Sequence, residues 1–128
     1  MLPRAWRMRD GATFASTIRR GRKNTVGFLV IYRLPADSTS IGFIVSKAVG
    51  SAVVRNRVKR QLRHVFLDVG MQKLADTAAP LSSNPLAGAD PGFGRVVVRV
   101  LPQAAGRHRR ELERDVRTGL GLEKGAAA

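Results

Sequence analysis

The sequence predicts an α+β fold, a single α/β sandwich in which one sheet carries packed helices in the order α-β-β-α-β-α. Three observations lead there. Hydrophobic residues make up 44% of the 128 positions, enough for a core that buries roughly two-thirds of the unfolded surface. Short β-branched runs alternate with stretches of helical period. No internal repeat divides the chain.

The elements follow in order. Asp10 is placed to cap a helix from about Gly11 to Arg20, with Phe14 and Ile18 on one face and Gly21 at its C′ position. Val26 to Arg33 is β-branched and aromatic and stops at Pro35, which predicts a first strand. A polar turn, Asp37 to Ser40, leads to a second strand, Ile41 to Val45. A short connection of this kind predicts an antiparallel pair. Ser51 can cap a helix running to about Leu67, whose apolar stripe is Val54, Val58, Leu62, Val65, Phe66 and Val69. Asn56, Arg57, Arg60, Arg63 and His64 fall opposite that stripe, and Arg55 lies near its edge. From about residue 80 to 94 the chain is rich in Pro, Gly and Ser, which predicts a flexible surface loop. Arg95 to Leu101 is a third strand ended by Pro102, and Leu112, Val116 and Leu120 mark a last helix. Residues 1–120 are expected to form one domain, and residues 121–128 a disordered tail.

Charge narrows the function. Twenty-three Lys and Arg face nine Asp and Glu, a net charge of +14. Such an imbalance repels itself in a folded chain and is eased by a polyanion, and nucleic acid is the first candidate because each phosphate neutralised releases counterions. From Gly11 through Ala36, and again from Ser38 through Leu67, there is no acidic residue at all. Cysteine is absent, which excludes a disulfide framework and a Cys nucleophile. Charges interrupt the N-terminus where a signal peptide needs an apolar core, and no apolar run reaches membrane length. A cytoplasmic protein without a membrane partner is expected. The carboxylates are scattered, and His64 and His108 stand alone, so a protein-only, metal-dependent nuclease is disfavoured.

The densest feature runs from Ser46 to Arg60. Its cations lack acidic partners at i+4, so they are not arranged to support a helix. They also begin at a helix N-terminus, where phosphate is favoured by free N–H groups and the dipole. Ser46-Lys47, Gly50-Ser51-Ala52-Val53, Arg55-Asn56-Arg57 and Lys59-Arg60 together resemble the signature of the bacterial ribonuclease P protein family. The resemblance extends from about Arg9 to Leu120, with Phe14 and Gly21 at the first helix, Tyr32 at a strand end and Phe66 in the signature helix. It departs from the family at Ala48, where a second basic residue is common, and at Ile18, where an aromatic is frequent.

The resemblance implies a non-catalytic protein subunit of an endoribonuclease that forms the mature 5′ end of tRNA. A large RNA performs the hydrolysis, and magnesium ions are held mainly by that RNA, none by the protein alone. The implied partners are the ribonuclease P RNA and precursor tRNA, with no obligatory protein partner, and the implied sheet contains a left-handed βαβ crossover. Lys47, Arg55, Asn56, Arg57, Lys59, Arg60 and Arg63 are the expected RNA contacts. Phe14, Ile18, Phe28, Val30 and Tyr32 are the expected walls of a cleft for the single-stranded 5′ leader. The residues themselves leave open whether Phe14, Ile18 and Phe28 are ordinary core; Tyr32, amphipathic and at a strand end, is the stronger ligand candidate.

Overall fold

The computed structural model describes residues 4–76, 92–104, 106 and 109–121. Helix α1 spans Gly11–Arg20, and the strands are β1 (Arg22–Val26), β2 (Leu29–Leu34), β3 (Ser40–Val45) and β4 (Arg95–Val100). Helix α2 spans Ala52–Asp76 and α3 spans Arg109–Gly119. The α+β sandwich is present, and its sheet has four strands in the order β1-β2-β4-β3.

Two features of that sheet correct the sequence reading. The run expected as one strand from Val26 is a hairpin: β1 and β2 pair antiparallel, with Val26 opposite Leu29. Gly27 occupies the turn at φ 56°, a left-handed conformation that a side chain resists. The second correction concerns neighbours. β2 and β3 were expected to pair, but β4 lies between them, antiparallel to β2 and parallel to β3. The composition of β4 explains its central place. Val96, Val97 and Val98 are all fully buried, and a strand covered on both faces reads as an unbroken apolar run. Parallel pairing of β3 with β4 requires a long crossover, which α2 supplies.

The sheet separates two apolar clusters. On one face Leu29, Ile31, Ile41, Val96, Val98 and Val100 pack against Val58, Leu62, Val65, Phe66 and Val69 of α2 and Leu112 and Val116 of α3. On the other, Val30, Tyr32 and Val97 gather with Met8 and are joined by Phe14 of α1. Arg109 of α3 pairs with Asp68 of α2 and ties the two helices on the first face together.

The helix ends have local causes. Asp10 caps α1, its carboxylate accepting from the Ala12 N–H at 3.3 Å and the Thr13 hydroxyl at 3.2 Å. Gly21 closes α1, yet it is extended (φ −72°, ψ 158°) and not left-handed. What it requires is room, because a Cβ there would press on the carbonyl of Thr17 and lie 3.1 Å from that of Arg33. Helix α2 runs nine residues beyond the expected Leu67, to Asp76. That last stretch is held by Val69 and Leu74, both buried.

Two parts of the core escaped the sequence reading. Trp6, near the N-terminus, is 1% exposed, and the adjoining Arg7 bridges Ile41 at the edge of β3. Phe93, within the expected loop from Pro80 to Gly94, is also 1% exposed. Its N–H donates to the Thr39 hydroxyl at 3.0 Å, and the Lys73 ammonium lies 5.6 Å from its ring centre. The rest of that loop, through residue 91, and most of the expected tail, from residue 122, lie outside the described residues.

Candidate nucleic-acid interface

Helix α2 begins at a serine cap. The Ser51 hydroxyl accepts from the Val54 N–H at 3.4 Å, a weak bond, and the Ser51 carbonyl takes the Arg55 N–H at 2.9 Å. From there the apolar stripe buries Val58, Leu62, Val65 and Phe66 against the sheet. The same 3.6-residue period turns the intervening cations outward.

These cations do not form one uniform face. Asn56, Arg57 and Arg60 are exposed, and Lys47, in the short helical turn Lys47–Val49 just before α2, is exposed as well. Arg55 behaves differently. It is half-buried, and its Nε donates to the Gly50 carbonyl at 3.2 Å, so part of its hydrogen-bonding capacity fastens the entrance of the helix. Lys59 and Arg63, one turn apart, lie on the flank of α2 that faces α1 and β3 and are half-buried there. With Arg7, Arg9, Phe14 and Phe43 they line a groove of about 190 Å³. Four cations and two partly exposed aromatic rings thus border one small cleft.

Arg7 and Arg9 were missed as binding residues. Their charge weighs against a signal peptide in the sequence, but only the bridge from Arg7 to Ile41, and the bond from the Met8 N–H to the Ile41 carbonyl, bring them beside α2.

The five residues expected to wall the leader cleft separate. Phe14 is partly buried, with its ring over Gly42, and it lines the groove. Val30 and Tyr32 share its side of the sheet but are 7% and 8% exposed. Tyr32, the stronger ligand candidate in the sequence, therefore offers little free ring. Phe28 sits in the β1–β2 turn and packs toward the opposite, larger cluster. It lost its expected place because the first strand breaks at Gly27, which ends the alternation that would align it with Val30. Ile18 is 36% exposed and does not line the groove.

Away from this interface, Arg33 shows what a structural arginine looks like in the same chain. Its Nε donates to the Phe93 carbonyl at 3.0 Å and another nitrogen to the Leu120 carbonyl at 2.9 Å. Burial lowers its pKa from the ordinary arginine value.

The arrangement can hold phosphates along α2 and a base or sugar against Phe14. Among the described residues no three His, Cys, Asp or Glu side chains gather as a metal site. No described helix is long and apolar enough to cross a membrane.

Comparison with known proteins shows the family and the fold. The model of the family Ribonuclease P matches residues 2–122. A ribonuclease P protein component from Beutenbergia cavernae is 44% identical over 128 residues, covering 95% of this chain and 93% of that protein. One from a Nocardioides species is 41% identical over 121 residues, covering 91% and 89%. Among solved structures, the Staphylococcus aureus RNase P protein superposes with a TM-score of 0.66 at 21% identity, covering 93% of this chain and 95% of that one. The Thermotoga maritima RNase P protein gives 0.65 at 17% identity, covering 93% and 98%. At these identities the structural likeness speaks to the fold.

Proposed function

The chain belongs to the bacterial ribonuclease P protein family, and from that premise we propose how its surface serves tRNA processing. The outward cations of α2, with Lys47 ahead of them, dock on the catalytic RNA subunit. The groove between α1, β3 and α2 receives the single-stranded 5′ leader of precursor tRNA. As the family membership implies, hydrolysis belongs to the RNA, which also holds most of the magnesium ions it needs. The particle works in the cytoplasm without an obligatory protein partner.

One observation carries this reading: Asn56, Arg57 and Arg60 are exposed along a helix whose buried stripe leaves them no structural task. The groove adds the second half. Stacking on an aromatic ring tolerates any base, and cations hold a backbone without reading sequence. That combination suits a leader that differs from one precursor to the next.

The test has two arms. Purified chain freed of RNA should not cleave precursor tRNA, and adding the cognate RNA should restore cleavage at low magnesium. Correct cleavage by the RNA-free protein would remove the reading. In the second arm, Arg57→Ala and Arg60→Ala should leave the melting temperature unchanged and weaken binding to the RNA subunit. Each lost phosphate contact should flatten the slope of log K against log salt by about 1.

A further inference from the structure

A second basic region lies at the opposite edge of the sheet from the α2 groove. There a cavity of about 930 Å³ opens between the end of α1, the edge strand β1, the end of β2, residues 92–94 and the end of α3. Arg20, Arg22, Lys23 and Arg33 line it, and none of the described lining residues is acidic. Among protein pockets this volume is near the upper end of the range that holds small ligands, so a nucleotide unit fits within it.

Ordinary structural roles cover only part of this charge. A cation at the end of α1 complements the helix dipole, and Arg19 and Arg20 both stand there. A lysine or arginine on an edge strand discourages sheet-to-sheet pairing, and β1 carries both Arg22 and Lys23. Neither role calls for Arg20 and Arg22 to meet beside Arg33, whose own guanidinium already holds two backbone carbonyls. The convergence comes from the backbone. Gly21 lets the end of α1 close onto the Arg33 carbonyl, and the register sets Arg22 opposite Arg33 on one face of the sheet, whereas Lys23, opposite Tyr32, belongs to the other face and borders the cavity from the strand edge. The negative end of α3 also borders the cavity, but its Leu120 carbonyl is already engaged by Arg33. β1 pairs on one side only, so its other edge presents backbone N–H groups beside the cations.

We propose that this cavity is a second polynucleotide site, which takes a phosphodiester segment of RNA at the sheet edge remote from α2. The site is independent of the α2 interface and does not require the leader groove. It makes the chain a two-sided RNA binder, able to hold two segments at once, one at each edge of its sheet.

The test uses the full chain and two probes, the cognate ribonuclease P RNA and a leader-bearing precursor tRNA, each titrated over a range of salt. Arg20→Ala with Arg22→Ala should flatten the salt slope for at least one probe by roughly 1.5–2, with an unchanged melting temperature. Arg4→Ala with Arg114→Ala, exposed cations that line neither cavity, is the control for net charge. An equal loss in that control, or unchanged slopes for both probes with the cavity variant, overturns the proposal. If the alanine pair fails to fold, Arg22→Gln with Lys23→Gln is read by the same criteria. Arg57→Ala with Arg60→Ala reports on α2 separately, so either site can fail while the other stands.

Discussion

Phe14 and Tyr32 share one apolar cluster, but they differ in what a ligand can reach. Phe14 borders the groove and is only partly buried, whereas Tyr32 is 8% exposed beneath α1. Truncating each should therefore harm the molecule in a different way. Phe14→Ala removes a stacking surface, worth on the order of 1–3 kcal/mol per base. The holoenzyme should lose about five- to hundredfold in affinity for precursor tRNA while mature tRNA binds nearly as before. Tyr32→Ala empties a closed site, and aromatic truncations of that kind cost about 3–5 kcal/mol. Its melting temperature should fall, and every activity should decline together. Parallel binding and melting measurements on the two variants check this; equal losses for precursor and mature tRNA in folded Phe14→Ala would remove Phe14 from the leader groove. The sequence could rank both aromatics as candidates because both lie on plausible inner faces. It could not rank their exposure, which depends on where α1 crosses the sheet.

At the level of elements, legibility followed the strength of the local pattern. Helix α1 was readable, since Asp10 at its cap and Gly21 at its end bracket one amphipathic face. The charged half of α2 was readable for the same reason. The tail of α2 was hidden by Gly70, which lowers helix propensity by about 1 kcal/mol relative to alanine. Its tertiary reason is Trp6: a Cβ at Gly70 would lie 2.6 Å from the indole Cζ3. Gly70→Ala should thus destabilise the protein despite better propensity, because overpacking of this kind typically costs about 1–3 kcal/mol. A lower melting temperature checks it, and a rise would mean that Trp6 moves aside freely. Strand β1 was hidden differently. Arg-Lys-Asn-Thr has no apolar alternation, and the segment is a strand because β2 offers it an edge. The position of β4 was invisible to short-range reasoning altogether, since its partners lie more than 50 residues away in the chain. Arg33 belongs to this scale as well, linking β2 to the start of β4 and the end of α3. Arg33→Met would strip two carbonyls of a charged donor, a loss of about 1.5–3 kcal/mol for each such bond. A clear fall in denaturant midpoint is expected, and an unchanged midpoint would mean that water replaces both bonds.

For the whole molecule, the net charge of +14 is an energetic problem that the fold solves only in part. Two ion pairs, Arg109 with Asp68 and Arg117 with Glu113, join residues that line neither basic cavity. Like charges gathered around the α2 groove and around the β1 edge raise the energy of the folded chain, and an anion bound there lowers it. The composition forecast a polyanionic partner but not this arrangement, which exists only once β1 and β3 become opposite edges of one sheet. A ligand that binds the folded arrangement adds RT ln(1 + [L]/Kd) to stability, about 2.7 kcal/mol at a hundredfold excess over Kd. For a chain of this size that corresponds to a rise in melting temperature of about 10 °C. Sodium chloride at matched ionic strength should give a smaller rise, because it screens the repulsion without bridging the cations. Calorimetric scans with the cognate RNA subunit, with chloride and with neither should rank in that order. Because an unfolded polycation also binds RNA, the ranking tests the folded surface itself: equal shifts from chloride and RNA, or a lower melting temperature with RNA, would show that the arrangement of charge adds nothing to its amount.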